Sequence, residues 1–209
     1  MLRLGAAICL LIMLGAVTGS TEPAQEVLRE VVKAHAQKFP GEPLSMGRVV
    51  HPPAKTVAEL TREAEVVFLA RLFKVNTYVW KNAETILTDY AIREQHLLAA
   101  RSDTAIIRAT DISKPLILTV YGGELTVDGV KVRATTLNAD TVVDGGEYVL
   151  FLKLSRAYVD QYEPYNAGIF AVRDGTVRPT HKHPQHLFSD AFDAPLATLL
   201  STISEARLR

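Results

Sequence analysis

Two Asp-Gly dipeptides, Asp128-Gly129 and Asp174-Gly175, each lie between short segments that alternate apolar and polar residues. ELTV and VKVRATT flank the first, GIFAV and TVRPT the second. A two-residue hairpin turn needs positive φ at both central positions, which Asp tolerates and Gly adopts freely. Each pair therefore predicts a β-hairpin, and neighbouring segments extend the pattern. EVVFLARLFKV, rich in β-branched and aromatic residues, predicts a buried strand from Glu65, and PLILTVYGG and EYVLFLKL predict two more. ILTDYAIREQHLL predicts a strand that runs into helix near Gln95, because Glu, Gln, His and Leu also suit a helix. In EYVLFLKL, Tyr148, Leu150 and Leu152 alternate with Val149 and Phe151. One set should face a core and the other a covering helix or loop.

Helices bracket these strands. In AQEVLREVVKAHAQKF, Val27, Leu28, Val31 and Val32 recur with helical period and Glu26, Arg29, Glu30 and Lys33 take the other side. This amphipathic helix should end before Pro40-Gly41. PGEPLSMGRVVHPP reads as an extended connector between prolines. Thr56 and Glu59 have the spacing of a capping box for a short helix reaching about Ala64. LATLLSTISEARL predicts a last helix, with Asp193 as its cap and Pro195 in its first turn. About six short antiparallel strands with helices before and after predict a mainly β, α+β fold, built as a small barrel or sandwich.

The N-terminus carries an address. Arg3 precedes an almost unbroken apolar run from Leu4 to Val17, and Val17-Thr18-Gly19 puts small residues at the −3 and −1 positions of a cut after Gly19. Such a run suits a secretory signal better than a membrane span, which needs about 20 residues; an uncleaved N-terminal anchor is the alternative. Cys9, the one cysteine of the chain, falls inside it. The exported protein, secreted or periplasmic, would hold no disulfide and no thiolate, and burial of apolar surface alone must stabilise it. Removing Arg3 from 23 basic and 23 acidic residues leaves 22 against 23, a balance of −1 with no basic stripe. Nucleic acid is a poor partner for such a surface. The expected divisions are 1–19 signal, 20–55 helix and connector, 56–180 barrel, and 181–209 His-rich loop and last helix.

The order of segments from Ala64 to Val172 resembles the netrin-like, tissue-inhibitor-of-metalloproteinase-like modules and loosely related bacterial secreted proteins. AEVVFLARLFKV is similar to their first strand, and Thr88-Asp89-Tyr90-Ala91-Ile92 to the second. LILTVYGGE, Gly146 to Leu152, and Gly168 to Val172 before Asp174-Gly175 complete the set. The resemblance implies a small OB-like antiparallel β-barrel with an N-terminal and a C-terminal helix. The sequence departs from the pattern at Ala70, where glycine is usual, and at Leu98-Ala99-Ala100, where lysine-glycine is. The inhibitors present a disulfide-linked N-terminal cysteine to zinc, and a mature chain without cysteine cannot use that mechanism.

No GxSxG elbow, HExxH, P-loop or DxDxDG loop occurs. The carboxylate pairs Asp140/Asp144 and Asp190/Asp193 are better explained as turn and cap residues than as an acid and a base. The densest group of potential ligands is HKHPQH, where His181, His183 and His186 could bind zinc or copper. Metal sites usually draw ligands from separate rigid elements, so the competing reading is a solvated loop joining the barrel to the last helix. Tyr158, Tyr162 and Tyr165 could recognise a partner or plug a barrel end, and Trp80 could mark a hairpin tip. The expected function is a secreted, non-enzymatic OB-like barrel without a cofactor, binding an unknown protein or envelope component and no membrane after signal cleavage. The rival is a zinc- or copper-binding protein using the three histidines. A third reading is a structural piece of an envelope assembly, with the first helix detached and its valine face exposed.

Overall fold

The computed structural model describes residues 22–48, 56–80, 85–101, 116–136, 140–155, 161–180 and 193–207, with Phe188 and Ala191. Both Asp-Gly pairs form the expected turns. Asp128 and Gly129 have φ of 48° and 82°, and Asp174 and Gly175 have 49° and 74°. The first turn joins β5 (Gly123–Val127) to β6 (Val130–Thr136), and the second joins β8 (Gln161–Arg173) to β9 (Thr176–Pro179).

Five strands close a barrel. β2 (Val66–Val79) pairs with β3 (Ile86–Ala100), β3 with β4 (Leu116–Tyr121), β4 with β8, β8 with β7 (Gly146–Leu154), and β7 with β2. Four pairings are antiparallel and the β4–β8 seam is parallel. Counted along the chain this is the order 1-2-3-5-4 of an OB barrel, and closure leaves no free edge among these strands. The strands are longer than expected, β2 and β3 running 14 and 15 residues. Length is accommodated by bulges: Val75 is extra in β2, and two further register shifts fall where β3 has one residue more than β2. β3 does not turn helical near Gln95. Glu94 takes a left-handed φ of 50° at a bulge, and the strand then continues because the ladder to β2 resumes at His96 opposite Leu69. Tertiary pairing here overrides a helical preference of a few tenths of a kcal/mol per residue.

The alternation in EYVLFLKL sorts as the sequence requires. Tyr148, Leu150 and Leu152 join Val66, Phe68, Ala70, Leu72, Tyr90 and Leu118 inside the barrel. Val149 and Phe151 face outward, yet both are fully buried. They lie under α2 (Val57–Glu63) and α3 (Leu196–Arg207), which contribute Val57, Leu60, Leu199 and Ile203. In α2, Thr56 N–H donates to Glu59 Oε2 at 3.3 Å and Glu59 N–H donates to Thr56 Oγ1 at 3.2 Å, so the capping box is complete. Thr56→Ala should lower the stability by about 1 kcal/mol, read as a lower urea midpoint at unchanged slope.

The last helix starts differently from the expectation. Ala194–Pro195 forms β10 against β9, and the Leu196 N–H donates to Gly175 O at 2.8 Å. Asp193 does not cap; its Oδ1 accepts from Arg178 Nε at 2.9 Å and Nη2 at 2.6 Å. With Ala194–Pro195 in a strand and the helix beginning at Leu196, Asp193 stands too far back to cap it, and its carboxylate pairs with Arg178 instead.

A second, smaller layer sits beyond the barrel. The connector contains β1 (Leu44–Arg48), which pairs parallel with β6 and makes a three-stranded sheet, β1-β6-β5. Leu28 and Val32 of α1 (Glu22–Lys38) pack there with Val132, Ala134, Val79 and Ile86. The far end of the β2–β3 hairpin thus extends past the barrel and is capped by this layer. Only half of the valine stripe docks, since Val27 and Val31 are 55 % and 48 % exposed.

Candidate functional site

The sequence candidates separate once they are placed on the fold. Trp80 follows β2 directly, is half-buried, and its backbone N–H donates to Thr85 O at 2.7 Å. This closes the hairpin mouth, as its position between two strand signals suggested. Tyr162 is 2 % exposed inside the barrel, beside Leu118 and Leu152, so its ring is withdrawn from the surface. That placement agrees with a segment that fills the barrel rather than one that offers a ring to a partner. The backbone of Tyr165 lies in β8, within a stretch where Leu150 pairs with Ile169 but Leu152 with Pro164. Its side chain lies outside the described residues, as do Tyr158, His181, His183 and His186. Among the described residues no group of three or more His, Cys, Asp or Glu is arranged to hold a metal.

The carboxylates of Asp144 and Asp193 have structural work, and Asp140 is held through its backbone. Asp144 Oδ1 accepts from the Lys74 N–H at 2.7 Å, tying the loop before β7 to β2. Asp140 N–H donates to Thr180 O at 2.6 Å. Asp193 holds Arg178, and Asp190 lies outside the described residues.

Two polar groups escaped sequence reasoning. One is the hydroxyl set around the Gly122-Gly123 corner. Thr88 Oγ1, 2 % exposed, donates to Gly122 O at 2.6 Å and lies 3.0 Å from Thr77 Oγ1. The other is on the opposite face of the same strands. Asp89 Oδ1 lies 2.7 Å from Thr119 Oγ1 and accepts from the Tyr78 hydroxyl at 3.4 Å, and Thr119 Oγ1 lies 2.8 Å from Gln161 Oε1. Burial raises the Asp89 carboxyl above its ordinary 3.8, while the hydrogen bonds from Thr119 and Tyr78 oppose that rise. The signal available in the sequence was polar residues recurring at period two inside strong strands, Thr88 and Tyr90 on one face and Asp89 on the other.

Inside the barrel, Tyr148 pins the loop that leads into its own strand. Its hydroxyl accepts from Val143 N–H at 2.7 Å, and it lies over Gly146, where an added Cβ would come within 2.8 Å of the ring. Burial pushes the Tyr90 hydroxyl up to about 12 and raises Tyr148 as well. The folded state therefore keeps protons that the unfolded chain releases near pH 10, and stability should fall as pH rises from about 10 towards 12. Absorbance titration of the seven tyrosines should show a late-ionising group that merges with the rest in 6 M guanidinium. Ionisation of all tyrosines together near pH 10 in the folded protein would contradict this burial.

Fold and site together define a closed OB-like barrel with helical cover on one wall and a small capping sheet. Comparison with family models, with curated proteins and with solved structures gives no match to this chain. No helix among the described residues is long and apolar enough to cross a membrane.

Proposed function

We propose that this is a secreted binding module that acts through its barrel and carries out no catalysis. The observation that carries the reading is the strand order. In a 1-2-3-5-4 barrel the connections between the first two strands and between the fourth and fifth border the face that such barrels use to take ligands. Here these are the β2–β3 connection, which Trp80 enters, and the β7–β8 connection, residues 155–160, which contains Tyr158. A tryptophan and a tyrosine suit the role because each couples a large apolar ring to a polar atom. The apolar run before Val17 supports export, and the netrin-like segment order supports a module that works by contact.

The test is capture. Mature protein, residues 20–209, is immobilised and exposed to envelope extract beside a Trp80→Ala/Tyr158→Ala variant of equal melting temperature. One retained component that binds the wild type in the micromolar range and is lost with the variant is expected. Turnover of a defined substrate, abolished by a single substitution, would replace this reading with an enzymatic one. Zinc or copper retained in equilibrium dialysis, and lost when His181, His183 and His186 become alanine, would replace it with a metal-binding one.

A further inference from the structure

We propose that the outer face of β2, β3 and β4 is a saccharide-binding surface whose ligand is a neutral oligosaccharide. This names a ligand class for the binding reading and rests on it. Strand register sets two rows of side chains on that face. Tyr78 of β2, Leu87 of β3 and Tyr121 of β4 stand opposite one another, and so do Asn76, Asp89 and Thr119. The rows are two residues apart along β3 and β4, about 7 Å. Gln161 of β8 lengthens the second row across the seam, with its Oε1 2.8 Å from Thr119 Oγ1. Leu87 and Thr119, 8 % and 6 % exposed, form the floor. Asn76 is exposed, and Tyr78, Asp89, Tyr121 and Gln161 are partly exposed.

The second row holds polar atoms that the fold does not use. Asp89 Oδ1 accepts from Thr119 Oγ1 and from the Tyr78 hydroxyl, and among the described residues Oδ2 has no partner. Thr119 contacts one end of the Gln161 amide; whichever way that amide is turned, its other end has no partner among the described residues. The Asn76 side-chain amide makes no hydrogen bond among them either. One carboxylate oxygen and two amides therefore stand in line beside an apolar row that carries two aromatic rings. A sugar ring has the matching halves. Its C–H face packs on aromatic rings, and each hydroxyl both donates and accepts, so neighbouring hydroxyls can serve Asp89 Oδ2 and an amide together. Other ligands fit this face less well. Neither row contains Lys or Arg, so a phosphate or an acidic sugar would meet Asp89 with no counter-charge. From Leu87 to Ile92, β3 is paired on both sides, so its main chain cannot take a peptide as an added strand.

Titration of the mature protein with cellohexaose, chitohexaose and maltohexaose, followed by amide NMR and calorimetry, tests this, with hexagalacturonate as the acidic control. At least one neutral hexasaccharide should bind with a Kd below about 1 mM and shift the amides of Asn76, Asp89 and Gln161, and the acidic one should not. Asp89→Asn should weaken binding about tenfold, because a charged acceptor makes a hydrogen bond roughly twice as strong. Asn76→Ala, at an exposed position, should weaken it by about threefold at an unchanged melting temperature. Lys131→Ala, on the small sheet, should leave it unchanged. No shift with any neutral hexasaccharide at about 5 mM, shifts confined to other elements, affinity unchanged in both Asp89→Asn and Asn76→Ala, or preference for hexagalacturonate would each overturn the saccharide surface. Any of these results, found while an envelope protein is still captured through Trp80 and Tyr158, would remove the saccharide and leave the binding module standing.

Discussion

Phe170→Ala should lower the stability of the fold by about 3–5 kcal/mol, a large share of the roughly 5–15 kcal/mol that a domain holds. Phe170 is fully buried on the outer wall of the barrel, where its ring meets Phe151 at 5.2 Å and Phe188 at 5.3 Å, both edge-on. Truncation removes the middle ring of three. It leaves a cavity bounded on one side by β7 and β2 and on the other by α2 and α3, elements that are themselves paired and cannot collapse inward. Two edge-to-face contacts, each worth about 0.5–1.5 kcal/mol beyond burial, disappear as well. Urea unfolding followed by circular dichroism measures the loss. A change under about 1 kcal/mol would mean that the helices are not seated on this wall as described.

The second large effect is expected at a turn. Gly123→Ala should destabilise by about 2–4 kcal/mol, the sum of a backbone strain and an overpacking contribution. Gly123 has φ of 136°, a conformation that side chains rarely adopt. A Cβ there would fall on the Thr88 hydroxyl and come within 2.9 Å of Thr77 Cγ2. The Thr88 hydroxyl it would push is the one that satisfies Gly122 O, so a buried hydrogen bond is lost with the fit. Gly129→Ala is the control: its φ is 82° but nothing lies within 4 Å of an added Cβ, so strain acts alone. The Gly123 variant should melt below the Gly129 variant. The opposite order would show that β5 does not approach β2 and β3 closely at this corner.

These two positions differ in how far the sequence foretold them. Phe170 sits in GIFAV beside an Asp-Gly turn and was legible as a strand residue. Phe151 was legible as part of an alternating strand with one face to a core and the other to a cover, the alternation not saying which face was which. The cover itself was readable only as helices somewhere before and after the strands. Gly122-Gly123 was legible as a loop, but the threonines that make alanine impossible lie about 35 and 46 positions away, and their approach follows from how β2 and β3 twist past the barrel. The helix expected near Gln95 failed for the same kind of reason, a distant strand supplying hydrogen bonds that a local preference could not outweigh. Asp193 was expected to cap a helix and instead meets an arginine carried in by the hairpin opposite.

Periodicity and turn chemistry act within a few residues, so the sequence by itself determined the hairpins at both Asp-Gly pairs, the capped helix at Thr56 and the alternation that gives β7 two covered faces. Pairing across the seam, the bulges that let long strands close, the small sheet beneath α1 and the Asp89–Thr119–Gln161 chain were decided by tertiary structure. Each joins residues tens of positions apart, and whether such groups meet depends on strand twist, register and closure summed over the whole barrel, quantities that no local pattern encodes.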